Sequence, residues 1–194
     1  MKVAMIGVGM VAGTHADALA ATDGRIKLNG VLSNVPDRAR AFADSQAAAG
    51  RDTPKVYTSV AEIAADTEVD FVLLCTPPNA RAEIVAELAA AGKPILSEKP
   101  VERTLAAATR IVETCEKAGV PFGIVFQHRM REASRALTDL LADGTLGTIE
   151  VIEITVPWWR PQNYYNEPGR GTYARDGGGV LINQAIHTMD LALS

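Results

Sequence analysis

Lys2-Val3-Ala4-Met5-Ile6-Gly7-Val8-Gly9-Met10-Val11-Ala12 is the stretch that decides the fold. An apolar run, Val3–Ile6, enters a glycine turn and passes directly into a helical pattern over about 11–21. Gly7-Val8-Gly9-Met10-Val11-Ala12 has the form GxGxxA. In such a turn the first glycine makes the tight bend and the second lets backbone approach a pyrophosphate. The small third residue lets helix and strand pack closely. The helix N-terminus then offers free N–H groups and a positive dipole end to phosphate. A glycine turn can also occur without a ligand. Here the strand, the turn, the helix and the βαβ pattern that follows together favour a dinucleotide.

Outward from that turn, short apolar runs alternate with amphipathic stretches. The runs are Val3–Ile6, Ile26–Leu32, Val69–Cys75, Pro94–Leu96 and Pro121–Phe126, and helices are expected near 11–21, 37–48, 59–65, 79–91 and 103–118. The runs do not alternate polar with apolar, as expected of strands covered on both faces. Strand–helix–strand repetition implies a parallel sheet with right-handed crossovers. Gly24, Gly50, Gly92 and Gly119 mark helix stops.

The pattern changes near residue 126. A helix is expected over about 132–142, then an alternating run, Thr148–Pro157, which reads as a strand with one exposed face in a second sheet. The predicted boundary lies near 122–128, giving a dinucleotide-binding domain over 1–124 and the beginning of a second α/β domain over 125–194. The fold class is therefore α/β: a Rossmann doubly wound parallel sheet followed by the start of a domain with an open-faced sheet. Residues 158–179 read as one long functional loop. Val180–Ser194 reads as an amphipathic helix, with Leu181, Ile182, Ala185, Ile186, Met189 and Leu193 on its apolar face and Asn183, His187 and Asp190 opposite. Because this domain looks unfinished at 194, further C-terminal sequence is expected, with homo-oligomerisation through the C-terminal sheet.

Composition narrows the class. The 194 residues are 47% hydrophobic and 22% charged, ordinary for a globular protein. Net charge is −4 with the 19 Lys and Arg scattered, so nucleic acid is not expected as a partner. No apolar run reaches the length of a membrane span. Cys75 and Cys115 form neither a CxxC pair nor a metal spacing, so no metal and a reducing cytoplasm are expected.

Position 33, where a strand-end carboxylate would bond the ribose 2′-hydroxyl of NAD, holds serine. With Ser33-Asn34 there and Arg38 nearby, nothing repels a 2′-phosphate. NAD or NADP is expected, leaning to NADP, although Arg38 also reads as an ordinary solvated helix residue.

Three further motifs share the chain: Cys75-Thr76-Pro77-Pro78-Asn79, Ala91-Gly92-Lys93 leading to Glu98-Lys99-Pro100, and Gly177-Gly178-Gly179 leading to Asn183, His187 and Asp190. In this order, after GxGxxA, the chain resembles the Gfo/Idh/MocA family of sugar and polyol dehydrogenases and reductases over its whole length. The resemblance implies that Lys99 is the catalytic lysine, that His187 lies across the substrate, and that Cys75, Thr76, Pro77, Asn79 and Glu98 join Gly7, Val8, Gly9, Met10 and Val11 around the cofactor. It also implies a cis peptide before Pro100. Two positions depart from the commoner pattern. Asn183 stands where many members carry Asp, and Arg81 where a His often follows the Thr-Pro motif.

A general base near pKa 7–8 best removes a hydroxyl proton, and lysine reaches that range only when desolvated or set beside positive charge. Lys99 at a buried strand end fits, although a turn lysine is the plainer reading. His187 can donate to the substrate oxygen, and Asn183, one turn earlier, can orient the substrate or the imidazole. Read without the resemblance, Asn183, His187 and Asp190 are only a polar helix face, with Asp190 structural. His15 reads as packed or capping, and His128 and Arg129 as anchors of the junction. Trp158, Trp159, Arg160, Tyr164, Tyr165 and Arg170 suit a sugar pocket, while the tryptophans equally suit core packing or oligomer contact. The activity expected is hydride transfer between nicotinamide and a sugar or polyol carbon. Rivals are a nicotinamide-dependent glycosidase working by transient oxidation and a non-catalytic dinucleotide sensor.

Position 33 is directly testable. Ser33→Asp places a carboxylate where a 2′-phosphate would sit and is expected to move the NADPH-to-NADH ratio of dissociation constants about tenfold toward NADH. Titration of each nucleotide by fluorescence measures this, and an unchanged ratio would place the ribose elsewhere.

Overall fold

A computed structural model describes residues 1–194. The chain divides into two compact units, Met1–Ile124 and Val125–Ser194. In the first unit the elements run β1 (Lys2–Ile6), α1 (Ala12–Ala20), β2 (Lys27–Leu32), α2 (Pro36–Ala48), β3 (Lys55–Val56), α3 (Val60–Ala65), β4 (Phe71–Leu74), α4 (Arg81–Ala90), β5 (Ile95–Glu98) and α5 (Leu105–Ala118). β6 (Phe122–Val125) closes a six-stranded sheet of order β3-β2-β1-β4-β5-β6. The β1–β2, β1–β4, β2–β3 and β4–β5 pairings are parallel. This is the doubly wound Rossmann order, whose switch point lies between β1 and β4.

The uninterrupted apolar runs follow from two cores. Val3 and Met5 face one side with Ala12 of α1 and Ala39 and Ala43 of α2. Ala4 and Ile6 face the other with Val85 and Leu88 of α4 and Ile111 of α5. Successive strand residues point to opposite faces, so a strand buried on both sides must be apolar throughout. Gly24, Gly50, Gly92 and Gly119 all have positive φ, and Gly119 caps α5 in the left-handed conformation.

β3 is the strand that pattern reading omits, because a two-residue strand has no detectable period. A Cβ on Gly30 of β2 would lie 2.2 Å from the Tyr57 ring. That glycine makes room for Tyr57, which is fully buried after β3 and donates its hydroxyl to Asp66 at 2.8 Å. Burial first, then the Asp66 carboxylate, push the Tyr57 phenol up to about 12.

The second unit departs further from expectation. α6 (Glu132–Ala142) forms where the periodicity places it. Thr148–Pro157 is not a strand: it has no regular structure, and Val151 and Ile152 are 83% and 61% exposed. A strand exists only through a ladder to a neighbour, and no segment of this unit supplies one, so the expected second sheet does not form here. Residues 158–179 are not one irregular loop but carry two single-turn helices, α7 (Gln162–Tyr165) and α8 (Tyr173–Asp176). The final helix is broken in type, with a π-helical segment at Leu181–Ala185 before α9 (Ile186–Leu193). Its expected faces are only partly kept: Ala185 is buried, but Leu181 and Leu193 are exposed, whereas Gln184 and His187 are buried. Among apolar side chains of this unit only Ala185 is buried. No helix of the chain is long and apolar enough to cross a membrane.

Candidate dinucleotide site

The register of the sheet assembles the site. Ile6 pairs with Leu32 on one side and Leu74 on the other, and Leu74 pairs with Ser97. The next residue of each strand, Ser33, Gly7, Cys75 and Glu98, therefore emerges in a row at the C-terminal edge, where open α/β sheets take their ligands. Gly7 has φ +98°, and a Cβ there would lie 2.9 Å from the Cys75 carbonyl carbon. Its glycine is thus required by the protein itself. Gly9 is different: a Cβ there meets nothing within 4 Å. Packing places no demand on that position, so its glycine leaves open backbone for a ligand. Ala12 is fully buried between α1 and the sheet, as the third position of the fingerprint needs.

Around this turn, Met10 and Val11 lie exposed at the start of α1, and Val8 is half-buried. Ser33 accepts the Val35 N–H at 3.2 Å, while Asn34 and Arg38 are exposed at the beginning of α2. Pro77 and Asn79 are exposed beside the short turn Pro78–Ala80. The Thr76 hydroxyl is buried with no hydrogen-bond partner, unmet capacity next to Gly7. Burial, with Glu98 adding to it, pushes the Cys75 thiol up to about 12, so it stays protonated and unreactive. Open backbone at Gly9, an orphan hydroxyl at Thr76 and a strand end without carboxylate at Ser33 together fit a dinucleotide.

Glu98 is the electrostatic centre of this edge. It is buried, its Oε1 lies 2.7 Å from Nε2 of His15 on α1, and its Oε2 accepts the Lys99 N–H at 3.2 Å. Burial alone would raise its pKa, but His15 and Lys99 outweigh that and hold the carboxyl below its ordinary value. His15 is therefore packed as the hydrogen-bond partner of the Glu-Lys-Pro loop and not a capping residue. Periodicity cannot see a partner so far along the chain, and a polar ring one turn past the glycine turn is its one sequence signal. Lys99 is half-buried, and its peptide to Pro100 is cis, as the resemblance implies. Arg81, read as a departure from the pattern, is 2% exposed, and its guanidinium donates to the carbonyls of Thr76, Glu98 and Pro100.

The remaining candidates belong to the second unit. His187 is buried, stacks on His128 with centroids 4.8 Å apart and meets Phe126 edge-on. Asn183 donates to Gly178 O at 2.7 Å and Gly179 O at 3.1 Å, bracing the glycine turn. Asp190 takes a two-pronged bond from Arg129 at 2.6 and 2.5 Å. Arg160 and Arg170 both lie over the Tyr164 ring, and Tyr165 meets Tyr164 edge-on. Trp159 is 79% exposed and stands outside this cluster.

Comparison with known proteins agrees with this geometry. The model of the GFO/IDH/MocA oxidoreductase family with an NAD-binding Rossmann fold matches residues 1–126, and that of the GFO/IDH/MocA C-terminal domain matches residues 134–194. The myo-inositol 2-dehydrogenase of Thermotoga maritima is 29% identical over 192 residues, 99% of this chain and 54% of that protein. The D-apiose dehydrogenase of Paraburkholderia graminis is 27% identical over 195 residues, 98% of this chain and 48% of that protein. The crystal structure of the WlbA dehydrogenase from Bordetella pertussis, in complex with NADH and UDP-GlcNAcA, is similar at a TM-score of 0.88 and 29% identity, covering 98% of this chain and 54% of that one. The chain spans about half the length of the curated relatives it matches.

Two outcomes follow from the geometry. Gly9→Ala is expected to leave the melting temperature unchanged while weakening NADH binding about tenfold. Equal binding in a calorimetric titration would show that no ligand backbone approaches there. Glu98 supplies a pH test. A carboxyl held below its unfolded value stabilises fully above that value and loses the contribution as pH falls through the folded one. The melting-temperature gap between the parent and Glu98→Gln is thus expected to be widest near neutrality and to close below about pH 4. A gap that persists in acid would mean that charge is not what Glu98 contributes.

Proposed function

The chain belongs to the GFO/IDH/MocA oxidoreductase family, and from that premise we propose that it binds NAD or NADP and moves a hydride between nicotinamide and a hydroxyl-bearing carbon of a sugar or polyol. The observation that carries this reading is the strand-end row, which brings the Gly7 turn, Thr76 and the Glu98-Lys99 loop to one edge at the switch point. The names of the relatives, inositol and apiose dehydrogenases among them, support the substrate class.

In this reading Gly7, Val8, Gly9, Met10 and Val11 receive the pyrophosphate, and Ser33, Asn34 and Arg38 surround the adenosine ribose. The lean toward NADP rests on Ser33, which brings no charge against a 2′-phosphate. The bound nicotinamide supplies the hydride acceptor or donor. Lys99 takes the hydroxyl proton on oxidation and returns it on reduction. Glu98, fixed by His15, holds the Lys99 backbone through its N–H and so sets where the side chain starts. In the second unit His187 addresses the substrate oxygen and Asn183 shapes the turn before it. Trp159, Arg160, Tyr165 and Arg170 offer aromatic faces and planar donors to a sugar.

Lys99→Met is the decisive substitution. It removes proton transfer and leaves the phosphate-binding turn intact. With myo-inositol, D-apiose or UDP-GlcNAcA as trial substrate and turnover followed at 340 nm, kcat is expected to fall about 10²–10⁴-fold while NADH binding stays within about threefold. Near-normal turnover would pass the proton to another group. Release of an aglycone with no net absorbance change would favour the glycosidase reading instead.

A further inference from the structure

We propose that Arg81 is the positioning residue of Lys99: its guanidinium fastens the loop after β4 to the loop after β5 and keeps a fixed positive charge behind the lysine. The inference rests on the reading of Lys99 as general acid and base.

Arg81 opens α4 and is buried. Arginine in the interior ordinarily sits against a carboxylate. Here its hydrogen bonds go to backbone carbonyls. Nε and Nη2 donate to Thr76 O at 3.1 and 2.7 Å, Nη1 donates to Glu98 O and Pro100 O, and a longer contact of 3.5 Å reaches Val101 O. Thr76 ends the β4 side of the crevice. Glu98 and Pro100 are the residues on either side of Lys99, so a single nitrogen holds both ends of the lysine's short backbone span. Only a planar fork with five donors can reach two loops at once; an ammonium is a point with three.

The charge matters as well as the geometry. Burial lowers the Arg81 guanidinium to about 10, with Glu98 opposing, so it remains a cation at neutral pH. A neighbouring positive charge disfavours a second one, and a half-buried lysine that must lose its proton near neutrality is helped toward it by such a neighbour. The charged and titratable groups that gather around the Glu98-Lys99-Pro100 span include Glu98 on its own strand, His15 from α1, Arg81 from α4, and the Glu102–Arg103 pair on the loop that follows. Glu98 favours the charged lysine, and Arg81 is the buried cation that opposes it.

The test compares the parent with Arg81→Gln and Arg81→Lys. The pH midpoint for acetylation of Lys99 by acetic anhydride is read by mass spectrometry. Hydrogen exchange is followed in the peptide over 96–103, and circular dichroism reports the fold. Arg81→Gln removes the charge and is expected to raise the acetylation midpoint by about one pH unit. Arg81→Lys keeps the charge and loses the fork. Its midpoint is expected within a few tenths of a unit of the parent, with exchange about tenfold faster. A midpoint that stays put in folded Arg81→Gln overturns the proposal, as does exchange that stays slow in Arg81→Lys. If Arg81→Gln does not fold, Arg81→Lys decides alone by the same exchange criterion. Neither measurement needs turnover, so failure of the Lys99 reading itself, seen as an active Lys99→Met enzyme, remains separately visible.

Discussion

The constraint on which the site in the first unit depends is the backbone approach of β1 to the end of β4. Gly7 lies so near the Cys75–Thr76 backbone that any side chain would strike a carbonyl group, and its positive φ excludes the alternatives as well. The chain leaves β1 toward α1 on one face of the sheet and leaves β4 toward α4 on the other, as the two cores record. The strand ends touch and the helices diverge, and that opens the crevice. Widening this contact would separate Gly7 from Cys75 and disturb the whole row from Ser33 to Glu98.

On that edge the protein concentrates buried charge. His15 and Glu98 join α1 to β5, and Arg81 joins the loops after β4 and β5. Each link connects elements distant in sequence that the sheet order brings to the same edge. The strands alone fix where backbones emerge; they do not fix the loops that follow. Charge-assisted hydrogen bonds are directional and roughly twice as strong as neutral ones, so they suit loops that have no ladder of their own. A ligand arriving at Gly9 therefore meets backbone that is already held in place.

The first unit was largely legible in the sequence because its signals are local. A doubly covered strand must be apolar throughout, a helix stop must be a residue tolerant of positive φ, and the fingerprint turn lies within six residues. β3 was lost because two residues carry no period. His15 and Arg81 are hard to read in sequence for another reason: what they do is defined by their partners, Glu98 for one and backbone carbonyls for the other, and neither partner leaves a mark near them in sequence. Thr148–Pro157 failed on a further ground. Its alternation is real, but alternation describes a face and not a neighbour, and without hydrogen-bonding partners the segment stays irregular.

The altered burial pattern of the last helix has a geometric cause. Assigning Leu181, Ile182, Ala185, Ile186, Met189 and Leu193 to one stripe assumes an unbroken α-helical period of 3.6 residues. The π-helical turn at Leu181–Ala185 inserts the equivalent of one extra residue. One residue of an α-helix turns the chain by about 100°, so side chains beyond the bulge no longer continue the stripe begun before it. Asn183, within the bulge, turns back to the glycine carbonyls, while His187, past it, is carried into the interior against His128. π-bulges are held at some cost to helical hydrogen bonding and concentrate at functional sites. This one converts a polar face that amphipathicity assigns to solvent into one that buries an imidazole, with Asp190 anchored to Arg129 one turn later.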